Sequence, residues 1–171
     1  MIIITADDLG KTRQASDGIL ECRAKGRVTS ASAMVFMEDS ERAARLAMAA
    51  ELEVGLHINF TMPFDAGHVA PDLRARHAKL VSYFASSGFA QAVYNPALKS
   101  SVGLLYRAQM EEFVRLYGRS PDFYNGHHHV HLSANMLISR ILPSGAPVRR
   151  TFTLKWGEKG PFNLLYRRVL D

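Results

Sequence analysis

"VTSASAMVFMEDSERAARLAMAAELEVGLHINF", residues 28–60, is the stretch that decides the fold. Its first part, 28–36, mixes β-branched and small apolar residues and reads as a strand. Residues 39–51, "DSERAARLAMAAE", read as a helix. Asp39 or Ser40 is expected to cap its start, and Glu41 in the first turn complements the helix dipole. Residues 53–60, "EVGLHINF", read as the next strand. Strand, helix, strand at this spacing is the unit of a parallel sheet, because two parallel neighbours need a crossover to join them.

The same alternation extends in both directions. Toward the N-terminus, "MIIIT" (1–5) has the apolar run of a strand buried on both faces and leads into "ADDLGKT". Ala15, Ile19, Leu20, Cys22 and Ala24 give 14–25 a helical pattern that Gly26 is placed to end. Toward the C-terminus, 103–118 is an amphipathic helix with Leu105, Met110, Phe113, Val114 and Tyr117 on its apolar face. "SPDFYNGHHHVHL" (120–132) reads as a turn and fourth strand, 133–142 as a helix that stops before Pro143, and "APVRRTFTL" (146–154) as a fifth strand. Residues 160–171 begin another helix. Residues 61–100 break the rhythm: a Pro- and Gly-containing loop, a helical stretch at 74–87, then helix and loop. This region is too short for a core of its own and reads as an insertion within one domain, 1–171.

Composition narrows the function classes. Of 171 residues, 47% are apolar and 22% charged, which excludes disorder. No apolar run approaches the roughly 20 residues of a membrane span. Cys22 is the lone cysteine, so no intrachain disulfide forms, and a cytoplasmic location is expected. Net charge is +5. The basic residues are spread out, apart from the pairs Arg149–Arg150 and Arg167–Arg168, and no basic run is interleaved with aromatics. Nucleic acid is therefore not an expected partner.

Catalytic groups in parallel α/β folds gather where strands end. Three such ends carry metal-ligand residue types: Asp7–Asp8, His57, and the cluster His127, His128, His129 and His131. A DD pair alone usually marks a solvated turn, and a lone buried histidine is usually core. His68 and His77 read as surface residues, with His68 within reach of a substrate. The cluster is harder to dismiss: it is internal, unlike a tag, and burying that many imidazoles demands many polar partners. If 127–131 is extended, His127, His129 and His131 share one face and His128 lies on the other. Alternation alone does not choose among the three. One Asp and two His would suffice for a divalent cation with an open position, leaving a second carboxylate as general base.

Five stretches, "ADDLG" (6–10), "GRVTSASAMV" (26–35), "VGLHINFT" (54–61), "LYGRSPDFYNGHHHVHL" (116–132) and "VRRTF" (148–152), resemble the YdjC-like carbohydrate deacetylases in order and spacing. The resemblance implies a parallel-stranded (β/α) barrel-like fold of irregular TIM type, here about five strands of an incomplete barrel. It implies removal of an acetyl group from an N-acetylated sugar with one divalent metal ion, Mg or Zn, with Mn or Co as alternatives. The implied ligands are Asp8, His57 and His127, and the implied general base is Asp7, acting on a metal-bound water that attacks the amide carbonyl. His129, His131 and Arg149 would touch substrate or support the ligands. An eight-unit barrel needs about 250 residues, so the chain is expected to be the N-terminal two-thirds of the family domain, its activity in doubt. A homodimer is among the partners such a piece admits. Two other readings compete: a metal-dependent phosphoesterase on a similar barrel, and an inactive metal-binding remnant.

Overall fold

The computed structural model describes residues 2–87 and 89–150. The helix expected over 160–171 and the end of the fifth strand lie outside these residues. The chain runs β1 (Thr5–Leu9), α1 (Arg13–Ala24), β2 (Ser30–Ala33), α2 (Ser40–Ala49), β3 (Glu53–Ile58), α3 (Pro71–Ala85), α4 (Lys99–Tyr117), β4 (Tyr124–Gly126) and α5 (Ala134–Ile138). The four strands form one parallel sheet in the order β1-β2-β3-β4. Strand order follows chain order without reversal, which is barrel-like winding rather than the doubly wound kind. The start of the fifth strand lies beside β4 as a parallel bridge, Tyr124 to Val148. The helices form a second layer: α1 packs on α2, and α4 packs on both α2 and α3.

The sheet separates two chemistries by its pleat. Register aligns Ala31 with Val54 and Ala33 with Leu56, which in turn aligns with Tyr124. Those side chains join Leu9, Ile58, Phe60, Leu105 and Phe113 in the buried core against the helices. The intervening positions, Ser32 beside Gly55 and His57 beside Asn125, line the other face. A buried strand is therefore polar on one side, and the alternating "SASA" of β2 records it.

Several expectations are corrected. "MIIIT" is not a doubly buried strand: Ile2, Ile3 and Ile4 are exposed, and β1 begins at Thr5 and runs through the Asp pair. Asp39 precedes α2 but makes no cap bond, because Arg42 takes its carboxylate; the Ser40 hydroxyl instead donates to Met34 O and accepts from Met37 N. Val114 is exposed rather than on the buried face of α4, where Tyr106, Gln109 and Glu112 are buried. His77 is not a surface residue. It is 1% exposed and stacks on Phe64 with centroids 3.5 Å apart. The cluster 127–131 is not extended; it forms a tight 3-10 turn over His127–Leu132. The one-face argument for His127, His129 and His131 therefore fails.

Candidate metal centre

Adjacent side chains on a regular strand point to opposite faces, yet Asp7 and Asp8 meet the same site. The pairing of β1 with β2 shifts register between Ala6 and Leu9, and Asp8 has φ 72°. This is a bulge: one extra residue is inserted, so Asp8 is redirected while Asp7 keeps its place opposite Ser32. Lys11 follows on the turn and its Nζ donates to Asp8 Oδ2 at 3.0 Å.

His57, 3% exposed, comes from β3 beside Asn125 of β4. Its Nδ1 lies 2.7 Å from Asn125 Oδ1 and 3.1 Å from Ser32 Oγ. Its Nε2 lies 3.2 Å from Asp8 Oδ1. Ser32 Oγ also donates to Asp7 Oδ1 at 2.8 Å, and Asn125 Nδ2 donates to the same oxygen at 3.0 Å. Ser32 and Asn125, both fully buried, are the site residues that sequence reasoning missed. The available signal was polar side chains at alternate positions of strands otherwise read as core.

His127 is the first residue past β4. Its Nδ1 lies 3.2 Å from Asp8 Oδ1, and its ring meets that of His57 nearly edge-on, at 72°. The chain then turns sharply, with His128 at φ 51° and His129 at φ 58°. Two consecutive left-handed non-glycine residues cost of order 1–3 kcal/mol each, and such strain persists where surrounding structure over-determines it. Gly126 makes the turn possible, because a Cβ there would come within 2.8 Å of His131 N. The turn sends the histidines to different fates. His128 is exposed and stacks on His127 with centroids 4.1 Å apart. His129 is half-buried near His131. His131 is fully buried, and its Nε2 donates to Arg149 O at 3.1 Å. Arg149 in turn donates from Nη1 to Asp7 Oδ2. His68 lies elsewhere, paired with Glu112 at 2.9 Å.

The electrostatics keep both carboxyls ionised. Burial pushes Asp8 upward, but contacts with His127, His57 and Lys11 outweigh it and hold the group well below the usual carboxylate range. Burial also pushes Asp7 upward, and the Arg149 guanidinium, His57 and Ser32 together bring it below its ordinary value. Burial drives His131 down to about 4, so its imidazole is neutral near pH 7.

Asp8, His57 and His127 are, among the described residues, the one group of metal-ligating side chains whose donor atoms lie within 4.8 Å of one another. One carboxylate oxygen and two imidazole nitrogens suit zinc and its neighbours and also tolerate harder cations. The two 3.2 Å separations lie between the edges of an octahedron, about 2.9 Å for magnesium, and a tetrahedron, about 3.4 Å for zinc. The residues present fit a divalent cation without choosing between those geometries.

Comparisons with known proteins place the chain among relatives. Residues 1–160 match the family model described as YdjC-like protein. A chitooligosaccharide deacetylase of Proteus mirabilis (strain HI4320) is 35% identical over 133 residues, covering 77% of this chain and 50% of that protein. A carbohydrate deacetylase of Mus musculus is 34% identical, over 77% of this chain and 43% of its own length. The chain thus spans about half the length of these relatives. A solved Enterococcus faecalis V583 structure, provisionally described as a cellobiose-phosphate cleavage protein, superposes with TM-score 0.59 at 24% identity. It covers 81% of this chain and 52% of that one, and it carries an argument about fold alone.

Proposed function

We propose, from the premise that this chain belongs to the YdjC-like protein family, that its site serves metal-dependent hydrolysis of the acetamide of an N-acetylated sugar, yielding acetate and the free amine. The observation that carries this reading is the convergence of Asp8, His57 and His127 beside a second carboxylate, Asp7, at the strand ends. The names of the Proteus and mouse relatives support the substrate class.

A divalent cation held by Asp8, His57 and His127, in our reading magnesium or zinc with manganese and cobalt as alternatives, would polarise the amide carbonyl and acidify a water. Asp7 is assigned the proton-accepting role. Its Oδ1 is occupied by Ser32 and Asn125, so Oδ2, where Arg149 now donates, is the oxygen that would take the proton. Arg149 holds the carboxylate ionised and oriented until then. The leaving nitrogen needs a proton, and we assign its delivery to an imidazole of the same turn: His128, exposed and stacked on His127, or the half-buried His129. Residues 61–100 are assigned to substrate recognition. Gln91 Nε2 donates to His128 O, and Ala134 N donates to Gln91 O, so this segment borders the histidine turn. No helix among the described residues is long and apolar enough to cross a membrane. We assign the reaction to the cytoplasm on the single cysteine, Cys22.

An acetate-release assay over a panel of N-acetylated sugars, with Mg, Zn, Mn or Co added in turn, tests the proposal. Cation-dependent release that disappears in His127→Ala is expected. Release unaffected by chelation and by that substitution would overturn it.

A further inference from the structure

We infer that Asn125 is a positioning residue: it fixes the His57 ring with a proton on Nδ1, frees Nε2 to hold a cation, and ties that ring to the Asp7 carboxylate. The inference rests on reading Asp8, His57 and His127 as a metal centre.

An asparagine amide has one accepting end and one donating end, and its neighbours decide which is which. One end lies 3.0 Å from Asp7 Oδ1 and 3.0 Å from Ser32 Oγ. Ionised Asp7 only accepts, so that end must be the donating Nδ2. The other end is then the oxygen, 2.7 Å from His57 Nδ1. Flipping the amide would press its oxygen against a carboxylate oxygen. Ser32 leaves no alternative, because it commits its own proton to Asp7 Oδ1 at 2.8 Å. Toward His57 Nδ1, 3.1 Å away, it too can only accept.

Both groups facing Nδ1 are therefore acceptors, and both side chains are fully buried. A bare Nδ1 here would set a lone pair against two oxygens, away from bulk solvent, at a cost of roughly 1–3 kcal/mol per unmade bond. Nδ1 thus carries the proton. With Nδ1 protonated, Nε2 is the nitrogen left to ligate, and it lies 3.2 Å from Asp8 Oδ1, so a cation that takes the place of any proton there would be held between ring and carboxylate. Through the same amide, one residue orients both a cation ligand and the carboxylate assigned as base.

Two readouts on the full chain test this, neither requiring turnover. In zinc titrations against a chromophoric chelator, Asn125→Leu, which keeps the size and loses the acceptor, is expected to bind about 10–100-fold more weakly. Asn125→Asp, which keeps an acceptor toward the ring but sets a second carboxylate oxygen against Asp7, is expected to recover part of that loss. Proton–nitrogen correlation spectra of the metal-free wild-type protein are expected to show a His57 Nδ1–H resonance protected from solvent exchange. Wild-type zinc affinity in a folded Asn125→Leu protein, or His57 protonated on Nε2 alone, would overturn the inference. Should the wild-type chain take up no zinc, the metal-centre reading fails by itself, and the His57 spectrum still decides the role of Asn125.

Discussion

His57 and His77 are both buried histidines from the middle of the chain, and they sit in opposite surroundings. Both nitrogens of His57 face polar side chains: Asn125 and Ser32 on one side, Asp8 on the other. His77 donates from Nε2 to Asn59 O at 2.9 Å, leaves Nδ1 buried with no hydrogen-bond partner among the described residues, and lays its ring on Phe64. Burial drives His77 down to about 4. The first ring is held by a network that fixes its proton; the second is packed as an aromatic with one polar handle. Burial of a histidine therefore says little about function. The identity of the atoms facing each nitrogen separates the two.

The sharpest way to break this contrast is at the assigned base and ligand. Asp7→Asn is expected to lower kcat for acetate release by about 10²–10⁴-fold while leaving zinc affinity nearly unchanged. His57→Ala is expected to lose zinc binding, and to cost about 1–3 kcal/mol of stability for the buried Asn125 acceptor it leaves unpaired. Chelator competition together with thermal unfolding checks both. A His57→Ala protein that binds zinc normally would erase the distinction.

His77→Ala should do the converse. Removing a stacked, fully buried ring is expected to cost about 2–4 kcal/mol of stability, read by urea unfolding, with no change in zinc affinity. If it weakens zinc as much as His57→Ala does, the two regions are coupled and the contrast is wrong.

Acid provides the third test. The folded-state value of His77, about 4, lies below its ordinary 6.5. Between those values the unfolded chain binds a proton that the native site excludes, so stability falls as pH drops through that window and is fully present above it. The ceiling is about 3 kcal/mol. Urea midpoints for the metal-free protein at about pH 7 and about pH 4.5 should differ accordingly, and His77→Leu should flatten that slope. His131, also driven to about 4, will contribute in the same direction, so a residual slope is expected in that variant.

The smallest expected effect lies far from either histidine. Thr12 caps α1 by accepting from Ala15 N at 3.2 Å. Thr12→Ala should cost about 1 kcal/mol with no effect on zinc or acetate release. A larger effect would mean that the turn carrying Asp8 and Lys11 depends on that cap.

Much of the architecture was legible. The strand-helix-strand pattern over 28–60 corresponds to β2, α2 and β3, because hydrophobic period and crossover length are local properties. Asp8, His57 and His127, named from strand ends and the family resemblance, do converge. What was not legible depends on backbone excursions. Extended alternation puts His127, His129 and His131 on one face, but left-handed angles at His128 and His129 scatter them. Histidine visits left-handed angles more readily than most residues, but two in succession are still rare, and the close packing of Gly126 against His131 goes with them. The burial of His77 was equally hidden, because a histidine in an amphipathic helix carries no mark of which face it takes. Ser32 lies in a strand read as apolar and Asn125 beside a far more conspicuous histidine cluster, and their partners lie 25 to 118 residues away in sequence.

The sequence by itself determined the parallel α/β order and the residue types at the strand ends, since periodicity and ligand chemistry are written in neighbouring residues. Only the tertiary structure decided which of the four clustered histidines reaches Asp8, how adjacent aspartates serve one site, and on which nitrogen His57 carries its proton. Those outcomes depend on a bulge, a left-handed turn and an amide oriented by a carboxylate from another strand, and each is set by contacts that form only when distant segments meet.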